Sequence, residues 1–233
     1  MISDAHREGW DHARRRDQSG ARSTGCPGTK YAYAAPEIHR YLQDGGSGFS
    51  TLVARQAVER NGAGRIVSIE PFPRPWLRDL KGVEVLEAPA EGFSSDFFND
   101  RLADGDILFI DSTHTVKTGS DCLHLYLRVL PRLESDLAIH VHDVFLPYGM
   151  PRRWELDLHL HWTEQHLLLA YLIGNRRTRL LFASNFALNR LAGELAAFMH
   201  GRHPVGGGSF WFRQVPDGRS APAEPLAFRA GPA

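Results

Sequence analysis

Residues 106–145 read DILFIDSTHTVKTGSDCLHLYLRVLPRLESDLAIHVHDVF. Ile107, Leu108, Phe109 and Ile110 form an unbroken apolar run that stops at Asp111, and residues 137–141 form a second that stops at His142 and Asp143. A strand covered on both faces loses the apolar/polar alternation of a half-exposed one, and these runs have the pattern of a parallel α/β sheet. Between them, residues 120–133 carry Leu123, Leu125, Leu127, Val129 and Leu130 as the packing positions of a crossover helix. In open sheets of this kind ligands bind beyond the carboxyl ends of the strands. Asp111, His114, His142 and Asp143 are therefore expected to meet at one place.

The rest of the composition agrees with a globular protein. The chain has 233 residues, 42% of them hydrophobic, enough for one domain with appendages. Lys plus Arg is 27 and Asp plus Glu is 27, so no global field gathers nucleic acid or an anionic membrane, and neither is an expected partner. Cys26 and Cys122 fit no disulfide framework, which points to a reducing compartment. The charged start MISDAHREGWDHARRRDQ lacks the apolar core of a signal peptide, and no apolar window reaches the length of a membrane span. The expectation is a soluble cytoplasmic protein, with homo-oligomerisation left open.

Three regions are expected: a polar arm over residues 1–30, a domain over 31–215 and a disordered Pro/Ala/Gly-rich tail over 216–233. Residues 31–42 (YAYAAPEIHRYL) read as a short helix, and the strand expected before the next turn, Tyr41-Leu42-Gln43, is short and polar, truncating the front edge of the sheet. The turn itself holds Asp44, Gly46, Ser47, Gly48 and Ser50. Its glycines permit a sharp strand-to-helix turn and close approach of the backbone to a ligand, and the helix start offers unpaired N–H groups. About 20 residues on, the strand Arg65-Ile66-Val67-Ser68-Ile69 ends at Glu70, where an acid can bond a ribose diol. Turn, helix, strand and terminal acid together describe a nucleoside-binding unit. A third strand at residues 83–86 leads to the loop at Ala90 and Glu91, against which an adenine can lie.

Beyond the central stretch, residues 146–160 (LPYGMPRRWELDLHL) have the composition of a lid, with Tyr148, Trp154 and Trp162 as stacking candidates. A helix over 162–173, a strand over 179–183, a helical stretch over 187–199 and a strand over 209–213 follow. The last two strands are expected to pair as an antiparallel edge. The fold class is thus α/β, a Rossmann-like doubly wound sheet, mostly parallel with an antiparallel C-terminal edge hairpin.

The segments Asp44-x-Gly46-Ser47-Gly48-Phe49-Ser50-Thr51, Ile69-Glu70-Pro71, residues 106–114 and His140-Val-His-Asp-Val-Phe145, with Trp162-Thr-Glu-Gln165, Phe182-Ala-Ser-Asn185 and Gly208-Ser-Phe-Trp-Phe212, resemble class I S-adenosylmethionine-dependent methyltransferases, more narrowly methyltransferase family 24. The resemblance implies that Asp44, Gly46, Ser47, Gly48 and Ser50 hold the methionine part of S-adenosylmethionine, Glu70 and Pro71 the ribose side, and Ala90 and Glu91 the adenine edge. It also implies a divalent metal at Asp111, His142 and Asp143, and His114 as general base in O-methylation of a hydroxyl on a sugar or other small natural product. His142 stands where such enzymes carry an acid, and an imidazole suits Mn, Fe, Co or Zn better than Mg.

The chemistry is coherent on its own terms. A neutral alcohol is a poor nucleophile, so methyl transfer needs an oxygen held in line with the sulfonium methyl and relieved of its proton. Three alternatives remain: a methyltransferase that uses no metal and works by proximity and His114 alone, a metal-dependent hydrolase or oxygenase built on Asp111, His114 and His142, and a catalytically silent interaction module. His140, two residues from His142 on the same face of the strand, reads as a core histidine bonded to a neighbour.

Overall fold

A computed structural model describes residues 30–34, 48–200 and 206–221. Seven strands form one sheet: β1 (Lys30–Ala34), β2 (Arg65–Ile69), β3 (Val83–Leu86), β4 (Ile107–Ile110), β5 (Leu137–Val141), β6 (Thr178–Ala183) and β7 (Phe210–Gln214), in the order β3-β2-β1-β4-β5-β7-β6. The first five run parallel, and β7 lies antiparallel between β5 and β6. The expected antiparallel pair is therefore present, but it is not a simple edge hairpin. Strand β7 is inserted, and β6 takes the edge.

The reading of the front of the sheet is corrected. Strand β1 starts at Lys30, inside the expected arm, and covers residues read as a helix; it sits mid-sheet, paired with β2 and β4, not at a truncated edge. Its local pattern alternates Tyr and Ala, and its identity as a strand comes from the two neighbours it joins. The expected strand at residues 41–43 lies outside the described residues, as does most of the tail.

The helices are α1 (Phe49–Asn61), α2 (Pro75–Arg78), α3 (Ser95–Asn99), α4 (Asp121–His124), α5 (Arg152–Leu156), α6 (Glu164–Leu172), α7 (Ser184–Arg190) and α8 (Ala192–Phe198). Helix α1 closes on Gly62, whose φ of 65° gives the left-handed cap that only glycine adopts without cost. Helix α4 starts on Ser120, whose Oγ accepts from Leu123 N at 3.3 Å. It continues as a π segment (Leu125–Val129) and a 3-10 turn (Leu130–Arg132). Pro131 causes the irregular end: it has no N–H for the Leu127 carbonyl, and Arg132 Nη1 reaches back to Leu127 O at 3.3 Å and Arg128 O at 2.8 Å.

The core forms where this crossover packs on the sheet. Tyr126, Leu125, Leu130 and Leu133 meet Leu108, Ile110, Ile139 and Phe212, all buried. Strand β4 is buried on both faces, as its apolar run implies, whereas β5 buries Leu137, Ile139 and Val141 and leaves His140 on a half-buried face.

Candidate active site

The register of the parallel strands assembles the site. Ile69 pairs with Ala34, Ala34 with Ile110, and Ile110 with Val141. One residue further on, Glu70, Asp111 and His142 stand in a row along the carboxyl edge. Strands lie about 4.8 Å apart, and β1 separates β2 from β4, so Glu70 and Asp111 are about 10 Å apart.

Beside Asp111, His114 and Asp143 have φ values of 56° and 54°, left-handed conformations that cost about 1–2 kcal/mol each in a residue with a Cβ. Such outliers concentrate at functional sites. His114 is buried, and its two ring nitrogens meet different acids. Nδ1 lies 2.7 Å from Glu164 Oε2, and Nε2 lies 3.5 Å from Asp111 Oδ1 and 4.0 Å from Asp143 Oδ2. The His114 carbonyl accepts from Thr163 N at 2.8 Å and Glu164 N at 3.1 Å, so the start of α6 holds its backbone too. Trp162 packs over the imidazole, and Trp154 meets Trp162 edge-on, extending the wall to Phe145.

The charges settle each other. Burial alone would lower the His114 pKa, but Asp111 and Glu164 outweigh it and raise it to about 10. Burial would likewise raise the Asp111 carboxyl, but His114 and His142 hold it well below the usual carboxylate range. His142 is also raised to about 10 by Asp111 and Asp143, against its burial.

The three residues expected to hold a metal do converge. His142 Nδ1 lies 3.5 Å from Asp111 Oδ1 and 3.4 Å from Asp143 Oδ1. Among the described residues no group of three or more His, Cys, Asp or Glu side chains is placed to hold an ion.

Before α1, Gly48 has φ 123°, and a Cβ there would stand 2.4 Å from the Trp76 ring, so this position requires glycine. Ser50 follows in the first turn of α1. Glu70 is buried, and its Oε1 accepts from Phe72 N at 3.1 Å across Pro71. Ala90 and Glu91 lie in a 3-10 turn after β3, with the Glu91 carboxyl raised by burial. Asp44, Gly46 and Ser47 lie outside the described residues.

Other candidates separate cleanly. His140 is a structural histidine: Nε2 lies 2.6 Å from Ser209 Oγ, its ring stacks on Trp211 at 4.1 Å, and burial lowers its pKa to about 3. Lys117, Arg152, Arg153, His159, His161 and His166 are exposed. The residues missed from sequence are Glu164 and Tyr126, whose hydroxyl donates to Glu164 Oε1 at 2.9 Å. A signal for Glu164 existed: it is an acid opening a helix whose last six residues, 167–172, are apolar.

Residues 44–144 match the family model Methyltransf_24, described as a methyltransferase domain. That segment takes in β2 to β5 and α1 to α4, and over it the chain is similar to a methyltransferase domain. A comparison with curated proteins finds no match. Among solved structures the chain is similar to the plantazolicin methyltransferase BpumL in complex with SAH, at 11% identity, 91% of each chain and a TM-score of 0.46. It is also similar to a mutant of the 16S rRNA (adenine(1408)-N(1))-methyltransferase from Catenulisporales acidiphilia, at 10% identity, 91% of this chain, 92% of that one and a TM-score of 0.38. At these values the likenesses decide nothing about substrate. Among the described residues no helix is long and apolar enough to cross a membrane.

Proposed function

We propose that the protein methylates a hydroxyl of a small molecule, a sugar or another natural product, with His114 as the general base. The observation supporting this is the His114 ring itself, buried at the carboxyl end of β4 with Nε2 turned toward Asp111 and Asp143 and Nδ1 bonded elsewhere. In the reaction the acceptor oxygen attacks the sulfonium methyl, the carbon–sulfur bond breaks with its electron pair left on sulfur, and the hydroxyl proton passes to Nε2. Asp111, one residue past the end of β4, positions the oxygen. Glu70, Pro71, Gly48, Ser50, Ala90 and Glu91 hold the cofactor across the neighbouring strand ends, joined by Asp44, Gly46 and Ser47.

A His114 raised to about 10 rests as the imidazolium, which is no base. The cationic sulfonium resolves this: a like charge brought close disfavours the protonated ring and releases its proton before transfer. The resting imidazolium keeps the acidic cluster neutralised until the donor arrives.

A second reading places a divalent ion among Asp111, His142 and Asp143. The observation in its favour is that His142 Nδ1 is buried without a hydrogen-bond partner, with carboxylate oxygens at 3.4 and 3.5 Å; ligand atoms around a tetrahedral ion are about 3.4 Å apart. Titration of EDTA-treated protein with Zn²⁺ and Mn²⁺ by calorimetry tests it, and no stoichiometric heat would remove it.

The main reading is tested by S-adenosylhomocysteine release in the presence of sugar-bearing small molecules, with an RNA arm in parallel, for the wild type and His114→Ala. Turnover with a hydroxyl acceptor that falls about 10²-fold in the variant supports it. Turnover only with RNA, or an unchanged rate in the variant, overturns it.

A further inference from the structure

The two nitrogens of His114 are held so differently that they cannot exchange roles. Nδ1 lies 2.7 Å from Glu164 Oε2, within hydrogen-bond range, whereas Nε2 meets Asp111 only at 3.5 Å. The other Glu164 oxygen receives the Tyr126 hydroxyl at 2.9 Å. Glu164 is 1% exposed and Tyr126 is fully buried in the crossover helix. Because the Glu164 amide also donates to the His114 carbonyl, one residue pins both the ring and the backbone of His114.

We propose that Glu164, itself held by Tyr126, is the positioning residue for His114: it takes the Nδ1 hydrogen and so aims Nε2 at Asp111 and Asp143. A carboxylate is only an acceptor, so a nitrogen 2.7 Å from it must carry hydrogen. Tyr126 in turn prevents the carboxylate from rotating away, because turning would strand a buried hydroxyl. The same arrangement of acid, imidazole and open nitrogen orients bases elsewhere in enzymology. The inference rests on His114 being the base only for its effect on rate; the hydrogen-bond claim stands independently.

The test is nitrogen-15 and proton magnetic resonance of the histidine rings in full-length protein with S-adenosylhomocysteine added, the His114 signals being assigned by their loss in His114→Gln. The wild type is expected to show an Nδ1 proton far downfield and slow to exchange with water. In Glu164→Gln that proton should move upfield and exchange faster, and in Tyr126→Phe, which removes one oxygen atom, it should move in the same direction by less. S-adenosylhomocysteine affinity serves as the folding control. A His114 signal showing Nδ1 without its proton, or one unmoved in both variants, overturns the proposal. If the signals behave as expected but His114→Ala keeps full turnover, the base assignment fails and the positioning claim survives.

Discussion

The Trp162 ring lies over the His114 imidazole with centroids 4.2 Å apart and 36° between the planes. An imidazolium against the face of an indole is attracted by the ring quadrupole. Trp162→Ala is expected to lower stability by about 0.5–1.5 kcal/mol while leaving S-adenosylhomocysteine affinity within about two-fold. Urea unfolding and calorimetry measure both, and unaltered stability would show that the contact contributes nothing.

Glu70 follows β2 and is buried, and the proposed function gives it the ribose hydroxyls. Hydrogen bonds to a charged acceptor are worth about 1.5–3 kcal/mol. Glu70→Gln is therefore expected to weaken S-adenosylhomocysteine binding about 10- to 100-fold with little change in folding. An equal dissociation constant in calorimetry would move the cofactor elsewhere.

Gly208 is set by contact, because a Cβ there would stand 2.7 Å from the Asp143 Cα and 3.0 Å from its carbonyl carbon. Both are backbone atoms, so the neighbour cannot rotate aside. Gly208→Ala should cost about 1–3 kcal/mol as an overpacked site and displace Asp143. The measurements are the melting temperature and turnover. A variant as stable and active as the wild type would contradict the packing described.

The ion cluster also gives stability a pH dependence. His114 is protonated up to about 10 in the folded protein, against about 6.5 in an unfolded chain. Its contribution is fully present below about 6.5 and is lost as pH rises toward 10. Asp111, held low, contributes above the ordinary carboxylate range, and its contribution is lost on acidification. Calorimetric melting temperatures should decline from near neutrality toward pH 10, and His114→Gln should flatten that decline. Half-exposed His142, more screened by water, should matter less.

Glu164→Gln carries the positioning argument into rate. With any hydroxyl acceptor that the wild type turns over, kcat should fall about 10- to 100-fold at nearly constant KM, as for other partners that orient a reacting imidazole. A change confined to KM would assign Glu164 to acceptor binding instead.

Much of this was legible in the chain because parallel strands announce themselves. The bounds of β2, β3, β4 and β5 agree with the sequence reading, and the residues just beyond β2, β4 and β5 proved to share one edge. Strand β1 was not legible: Lys30–Ala34 has no run of β-branched residues, and its pairing with β2 and β4 is a long-range fact. Glu164 was hidden for the same reason, since 50 residues separate it from His114 and no local pattern says which face of α6 turns inward. The residues expected to hold a metal do converge, with His142 Nδ1 3.5 Å from Asp111 Oδ1 and 3.4 Å from Asp143 Oδ1.

The seating of Asp143 by the stretch before β7 has a temporal side. Val144 N donates to Gly208 O at 2.8 Å, and the Gly208 backbone closes against Asp143. A chain leaving the ribosome exposes its acidic turn long before the segment that fixes it. Asp143 therefore depends for its place on a segment 65 residues further along the chain (208 − 143), so the acidic turn is set by a long-range contact and not by its own loop.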